Sequence, residues 1–142
     1  MALDKILYTA HATSTGGRDG GSKSDDGKLQ VKLAPPKEMG GNGDGTNPEQ
    51  LFAAGYSACF LGALKFVAGK SGTRLPSETN VTAKVSFGPR DDLQGFGLEV
   101  ALTIHVPGLE HAAVEKLAEQ AHIACPYSHA TRNNIPVTLQ IA

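Results

Sequence analysis

The sequence is short of net charge, of long hydrophobic runs and of cysteine, and each shortage excludes a class of protein. Its 13 basic and 14 acidic residues leave no charge excess that would attract nucleic acid or an anionic membrane. The longest uncharged helical run, residues 51–64, is shorter than the ~20 residues that cross a bilayer. A chain of 142 residues also buries a sufficient core without disulfides, so we expect a single domain over residues 1–142.

The N-terminal residues predict a cytoplasmic protein. Residues 1–7 carry charge early and contain no apolar stretch of signal-peptide length. A structural disulfide is rare in a reducing cytosol, where a pair of cysteines is more often catalytic or metal-binding.

The only two cysteines have unlike sequence surroundings. Cys59 lies in the middle of an apolar helical stretch, whereas Cys125 stands directly before Pro126, where a helix is about to begin. A thiol among apolar groups needs an added cation to ionise, and the unpaired N–H groups of a helix start favour a thiolate. The contrast suggests a redox pair that exchanges a disulfide with an oxidant. Two inert, buried cysteines are the alternative interpretation.

Periodicity and turn residues predict an α+β fold with mainly antiparallel sheet. Nine of the 17 glycines fall between Gly16 and Gly45, which indicates turns between short strands in the first third of the chain. The strands are predicted over residues 6–13, 29–33, 81–87, 97–106 and 135–141. A central helix is predicted after an Asn47 cap, from Pro48 to about Gly69. A second helix is predicted from about Glu110, with one apolar face formed by Val114, Leu117, Ala118 and Ala121.

One stripe of the central helix carries the first cysteine. Its members recur at three- and four-residue spacing and are Phe52, Gly55, Cys59, Gly62 and Phe66. The two glycines, about one turn on either side of Cys59, would let another backbone approach the thiol closely. This spacing fits a helix crossing as well as it fits a substrate notch.

Other chemistries have less support in the sequence. Residues 41–46 precede a helix start but lack the Walker lysine, and Glu49 would repel a phosphate there. No Ser-His-Asp order or nucleophile elbow is visible. The alternative to a redox pair is a zinc- or ligand-binding α+β module with structural cysteines, with zinc ligands drawn from His122, Cys125, His129 and Cys59. An α+β interaction domain with inert cysteines is a still simpler alternative.

Three motifs of the sequence resemble the organic hydroperoxide resistance (Ohr) branch of the Ohr/OsmC family. They occur in the family's order across nearly the whole chain, and they are GGRDG at 16–20, DGTNPEQLFAAGYSACF at 44–60 and CPYS at 125–128. The resemblance implies an OsmC/Ohr-like α+β fold, with mainly antiparallel sheets packed around a central apolar helix. It also implies an intertwined homodimer.

The resemblance further implies a cysteine-based peroxidase that reduces organic hydroperoxides, including those of fatty acids, to alcohols. It assigns peroxide attack to Cys59, which becomes a sulfenic acid, and assigns to Cys125 the resolution of that acid as a Cys59–Cys125 disulfide. It implies that a dithiol, of the lipoyl-linked kind, reduces the disulfide, and that neither a metal nor another cofactor takes part.

The resemblance also implies roles for two charged residues and for the aromatic side chains around Cys59. Arg18 would stabilise the thiolate and donate to the peroxide oxygen, and Glu49 would orient Arg18. The residues alone favour a simpler interpretation, in which Arg18 is a solvated loop arginine and Glu49 a favourable carboxylate of the first helical turn. Apolar neighbours would favour alkyl peroxides over hydrogen peroxide, and these are Phe52, Phe60 and Phe66.

Overall fold

The computed structural model describes all residues, 1–142, and they divide into two compact units, Met1–Pro48 and Glu49–Ala142. The first unit is an antiparallel sheet of three short strands in the order β1 (Ala12–Thr15), β2 (Gly21–Ser24) and β3 (Gln30–Lys32). Turns of 3-10 helix occupy Gly17–Asp19 and Lys37–Met39. The glycine-rich first third is therefore a set of turns between short strands, as the composition predicts.

The first strand differs from its prediction. Residues 6–11 contain no strand, and β1 begins only at Ala12. The cause is the length of the partner strand, because β2 pairs with Ala12–Thr15 and then turns, and one last backbone bond, from the Asp25 N–H to the His11 carbonyl, ends the pairing. The apolar residues before β1 consequently have no sheet partner, and Ile6, Leu7 and Tyr8 are exposed.

The second unit contains a three-stranded sheet and, in addition, three helices. The strands are β4 (Asn80–Pro89), β5 (Phe96–His105) and β6 (Val137–Ile141), with β4 antiparallel and β6 parallel to β5. The helices are α1 (Pro48–Lys70), which opens this unit, α2 (His111–Ala124) and α3 (Pro126–Thr131). The predicted apolar face of α2 is confirmed, since Val114, Leu117, Ala118 and Ala121 are all buried.

The core of the second unit lies between α1, α2 and one face of the sheet. α1 contributes Tyr56, Phe60, Ala63, Leu64 and Ala68, and β5 contributes its alternate residues Val100, Leu102 and Ile104. Alternation in β5 and the three- to four-residue spacing in α1 bring these side chains to one interior. The same core includes Cys125.

Helix α1 is longer and more apolar than its uncharged run suggests. Its 23 residues include an 18-residue window of mean hydropathy 1.6, which by length and composition alone suffices to cross a bilayer. In the structure, five of its side chains are buried in the core, so α1 is the core helix of this unit. Only 28% of that window is buried within the chain, and one apolar stripe of the helix is exposed, formed by Ala54, Ala58, Gly62 and Phe66.

Candidate active site

The two cysteines, 66 positions apart in the sequence, meet in the second unit. The Cys125 thiol donates toward Cys59, with 3.4 Å between the two Sγ atoms. Neither forms a disulfide, and they differ in access, because Cys59 is partly exposed whereas Cys125 is fully buried. A reagent in solvent can reach the first sulfur, and the second lies within reach of the first.

Cys125 occupies the junction between two helices. Its backbone N–H donates to the Ala121 carbonyl at 2.8 Å and ends α2, and its own carbonyl accepts from the His129 N–H at 2.9 Å within α3. The residue between these bonds is extended, with φ −68° and ψ 123°, and Pro126 follows at the first position of α3. Since proline has no N–H and a preset φ, it suits that position. The chain therefore turns at Cys125 and holds its side chain inward.

The start of α3 serves Cys59 rather than Cys125. Burial raises the pKa of the Cys59 thiol, and the backbone N–H of Tyr127 opposes part of that rise. The sequence suggested that the helix start would favour a thiolate on Cys125. Pro126 has no N–H, however, and the first backbone N–H of α3, on Tyr127, acts on Cys59.

The electrostatics of Cys59 still call for a cation. Burial raises the pKa of its thiol, and the neighbouring Cys125 thiol raises it further, against the lowering by the Tyr127 N–H. A thiolate, the form that attacks a peroxide, therefore needs a positive charge that these groups do not supply.

The notch at Gly55 is filled by a side chain of the same chain. A Cβ at Gly55 would lie 3.2 Å from Cε2 and from the hydroxyl oxygen of Tyr127, whereas a Cβ at Gly62 would meet nothing within 4 Å. The ring of Tyr127 also contacts Phe52 and Tyr56, with centroids 6.2 and 5.8 Å apart. Within this chain the space beside Gly55 is therefore occupied by an aromatic side chain.

Arg18 and Glu49 occupy structured positions in different units. Arg18 is the middle residue of the turn Gly17–Asp19 and is partly buried. The turn depends on glycine, because Gly16 has φ +72° and a Cβ at Gly20 would lie 1.9 Å from the Thr15 carbonyl oxygen. Glu49 lies in the first turn of α1 and is also partly buried.

The three phenylalanines of the predicted substrate pocket are not gathered in one place. Phe60 is fully buried in the core, and Phe66 is 57% exposed, with the Lys70 ammonium 4.7 Å from its ring centroid. Phe52 alone lines an open groove of about 1350 Å³ in the second unit. Other aromatic side chains on this groove are Tyr127 and the stacked pair Phe87 and Phe96, which the sequence analysis did not select.

The predicted zinc ligands do not converge. Nowhere in the structure do three His, Cys, Asp or Glu side chains come together in a way that could hold a metal ion. His122 instead contacts Ser128, with 2.8 Å between Nδ1 and Oγ. The zinc-binding alternative therefore has no ligand set.

Comparison with known proteins identifies the family. The family model described as OsmC-like protein matches residues 41–140. The organic hydroperoxide resistance protein of Xanthomonas axonopodis pv. citri is 54% identical over 140 residues, which cover 98% of this chain and 97% of the relative. The chain belongs to the Ohr branch of the OsmC family.

Solved structures of Ohr proteins agree with this assignment. An organic hydroperoxide resistance protein from Elizabethkingia anophelis is 50% identical with a TM-score of 0.90, covering 97% of this chain and 98% of that one. OhrB of Bacillus subtilis is 40% identical with a TM-score of 0.87, covering 96% and 100%. The predicted family and the OsmC/Ohr-like α+β fold are both confirmed.

Proposed function

We propose that this chain is a thiol-dependent peroxidase that reduces organic hydroperoxides to alcohols through Cys59 and Cys125. The observation that carries the proposal is the pair itself, a partly exposed sulfur 3.4 Å from a fully buried one. A peroxide can reach only the exposed sulfur, and a sulfenic acid formed there has a thiol beside it. The names of the Ohr relatives, organic hydroperoxide resistance proteins, support the same substrate class.

The reaction proceeds in three steps, which are peroxide attack, disulfide formation and reduction by a dithiol. The Cys59 thiolate attacks the terminal oxygen of the hydroperoxide, the O–O bond breaks, and the alkoxide takes a proton to leave as the alcohol. Cys59 is then a sulfenic acid. The Cys125 thiol attacks the Cys59 sulfur, water leaves and a disulfide forms. An external dithiol exchanges with that disulfide, is itself oxidised and restores both thiols.

Resolution requires only a small movement of the sulfur atoms. An S–S bond is about 2.0 Å long, so the two Sγ atoms must approach by roughly 1.4 Å from their present separation. Cys125 lies at a junction between two helices, where one residue links two rigid elements. Its burial shields it from direct oxidation by solvent peroxide while Cys59 is reduced.

Arg18 supplies the missing cation in this proposal. Burial raises the pKa of the Cys59 thiol, and a guanidinium beside it would favour the thiolate and donate to the developing alkoxide. Glu49 would orient that guanidinium through a bidentate pair. The glycine-dependent turn around Arg18 and the partly buried setting of both residues support these roles.

The organic group of the substrate would lie on the aromatic groove of the second unit. Phe52 and Tyr127 line that groove, and the Tyr127 N–H reaches Cys59. Of the three phenylalanines predicted for the pocket, Phe52 has direct support within the chain. Phe66 can join the pocket only through its exposed ring, and Phe60 only by supporting α1 from the core.

The active form would be a single Ohr-type domain, residues 1–142, in an intertwined cytoplasmic homodimer reduced by a lipoyl-linked dithiol. The family match spans the boundary between the two units. The N-terminal apolar side chains Leu3, Ile6, Leu7 and Tyr8 are each at least 72% exposed in the isolated chain. A second copy would cover such a surface, as the outward apolar face of α1 also requires.

Mass analysis tests the proposal directly. The reduced protein is treated with one equivalent of an alkyl hydroperoxide, and the intact mass and the released alcohol are measured. The expected result is one equivalent of alcohol, a loss of two hydrogen masses and a Cys59–Cys125 linked peptide after digestion. Two retained thiols and unchanged peroxide would refute the peroxidase, and stoichiometric zinc in the purified protein would favour the alternative module.

A further inference from the structure

Three polar side chains that the proposed chemistry does not use are each three residues from a cysteine. Tyr56 precedes Cys59 on α1, while His122 precedes and Ser128 follows Cys125. Because three residues are close to one helical turn, such neighbours lie beside the cysteine on the same side of the chain. All three belong to the second unit, and they meet one another.

Ser128 is the centre of this hydroxyl cluster. Its Oγ lies 2.8 Å from the Tyr56 hydroxyl and 2.8 Å from His122 Nδ1. The Tyr56 hydroxyl also lies 3.2 Å from Thr131 Oγ1, and Thr131 donates to the Ser128 carbonyl at 3.1 Å. Tyr56 and Ser128 are fully buried, so these contacts replace water.

One order of protons satisfies every contact. His122 Nδ1–H donates to Ser128, Ser128 to Tyr56, Tyr56 to Thr131, and Thr131 to the Ser128 carbonyl. Each hydroxyl then donates once and accepts once, which leaves no buried polar hydrogen without a partner. Burial and the nearby Arg132 lower the pKa of His122, so the imidazole is neutral at neutral pH. The order of protons given above requires its hydrogen on Nδ1.

The cluster joins α3 to α1. Helix α3 has six residues and could not persist as an isolated helix, so contacts with its neighbours must hold it in place. The Tyr56 hydroxyl contacts two of its residues, Ser128 and Thr131. Tyr127, whose N–H reaches the Cys59 sulfur, is the residue directly before Ser128. Helix α3 therefore carries both the residues that contact Tyr56 and the N–H that acts on Cys59.

We propose that the Tyr56 hydroxyl is a positioning group for the thiol pair, holding α3 through Ser128 so that the Tyr127 N–H meets Cys59 and Cys125 stays in reach. Tyr56 touches neither sulfur by its hydroxyl and acts through α3. The consequence for turnover rests on the proposed peroxidase function. The placement of the N–H does not, so it can be tested without peroxide.

The test measures the pH dependence of Cys59 alkylation by iodoacetamide. All variants carry Cys125→Ser, which leaves Cys59 as the only thiol. Tyr56→Phe removes the hydroxyl and keeps the ring. Because a hydrogen bond to a charged group is lost or weakened, we expect the midpoint of the alkylation profile to rise by about one pH unit. Tyr8→Phe, which removes an exposed hydroxyl in the first unit, should leave the midpoint unchanged.

Ser128→Ala tests the same link from the other side. It should raise the midpoint as Tyr56→Phe does, and the double variant should shift it no further than either single variant, since both break one connection. It also carries the test if Tyr56→Phe does not fold, as judged by circular dichroism. An unchanged midpoint in a folded variant, or shifts that add in the double variant, would overturn the proposal.

The effect on turnover is measured separately in the protein with both cysteines. After one equivalent of alkyl hydroperoxide, Tyr56→Phe should close the Cys59–Cys125 disulfide about tenfold more slowly than the unsubstituted protein. Closure at the unsubstituted rate together with a shifted alkylation profile would overturn the part that concerns Cys125. Loss of peroxide reduction in every variant, with the alkylation shift intact, would count against the peroxidase function alone.

Discussion

The Cys125 thiol donates toward the sulfur of Cys59 across 3.4 Å, and the backbone N–H of Tyr127, in the helix that follows Cys125, opposes the rise that burial causes in the Cys59 pKa. Pro126 makes this possible, because it removes the N–H that would otherwise come first in α3 and leaves Tyr127 as the nearest donor. Cys125, the residue directly before that helix, is the buried partner of the Cys59 sulfur. Cys59 is thus the cysteine that solvent can reach, and Cys125 is the one that is shielded from it.

The order of the two cysteines is tested by single substitutions. Cys59→Ser should abolish peroxide consumption, because Cys125 is fully buried. Cys125→Ser should still consume about one equivalent and trap an oxidised Cys59, since only resolution is lost. Single-turnover peroxide assays and intact-mass measurement distinguish the two. Complete loss of the first turnover in both variants would contradict the assignment.

Arg18→Ala should move the pH profile of the first turnover to higher pH. The reaction needs the thiolate, and burial already raises the pKa of Cys59. If Arg18 is the cation that favours the thiolate, as we propose, its removal should raise that pKa further. A shift of one unit or more lowers the rate at pH 7 by about tenfold. Stopped-flow peroxide consumption between pH 5 and 10 measures the profile.

Arg18→Lys should recover part of the rate, and Lys28→Ala, which removes an exposed cation, should not alter it. An unshifted Arg18→Ala profile would exclude Arg18 as that cation.

Alkyl hydroperoxides should be better substrates than hydrogen peroxide. Each methylene that the aromatic groove buries contributes up to ~0.8 kcal/mol to binding, or about fourfold in catalytic efficiency. Phe52→Ala should reduce this preference, because Phe52 lines the groove. The comparison uses kcat/KM for both peroxides at saturating dithiol. Equal efficiencies in the unsubstituted protein would remove the argument for a substrate groove.

Gly55→Ala should slow the first turnover without lowering stability. Its Cβ would lie 3.2 Å from the Tyr127 side chain, so that side chain must shift slightly, while alanine favours the helix by roughly 1 kcal/mol. Gly69→Ala is the matched control, because nothing lies within 4 Å of its Cβ and only the helix gain remains. Single-turnover rates and thermal unfolding are measured together. A Gly55→Ala rate equal to that of Gly69→Ala would show that the ring position is unimportant.

Glu49 and Cys59 should act from different subunits. On the unbroken helix α1 they are ten residues apart, about 15 Å along the axis, which one arginine in the same chain hardly bridges. In a mixed dimer of Glu49→Ala and Cys59→Ser chains, one site would keep both groups and the other would lose both. Activity should therefore return on mixing two inactive variants. No recovery despite confirmed subunit exchange would assign both residues to the site of one chain.

Local sequence patterns determined most of the secondary structure and the family. Asn47-Pro48 marks the start of α1, and the spacing of Val114, Leu117, Ala118 and Ala121 marks the buried face of α2, because both signals depend on neighbours within one or two turns. The motifs at 16–20, 44–60 and 125–128 were sufficient to predict the Ohr branch. The beginning of β1 was missed because it depends on the length of its partner β2.

Only the tertiary structure decided how the surroundings of the thiols are built. Three of these contacts join residues about 70 positions apart. The Tyr127 side chain lies against Gly55, the Tyr127 N–H lowers the pKa of Cys59 against the effect of burial, and the Tyr56 hydroxyl contacts Ser128. Helical periodicity predicts which side chains share a face, but not which other element packs on that face. For the same reason one stripe of α1 grouped Phe52 with Phe66, although the folded chain places the first on an aromatic groove and leaves the second exposed.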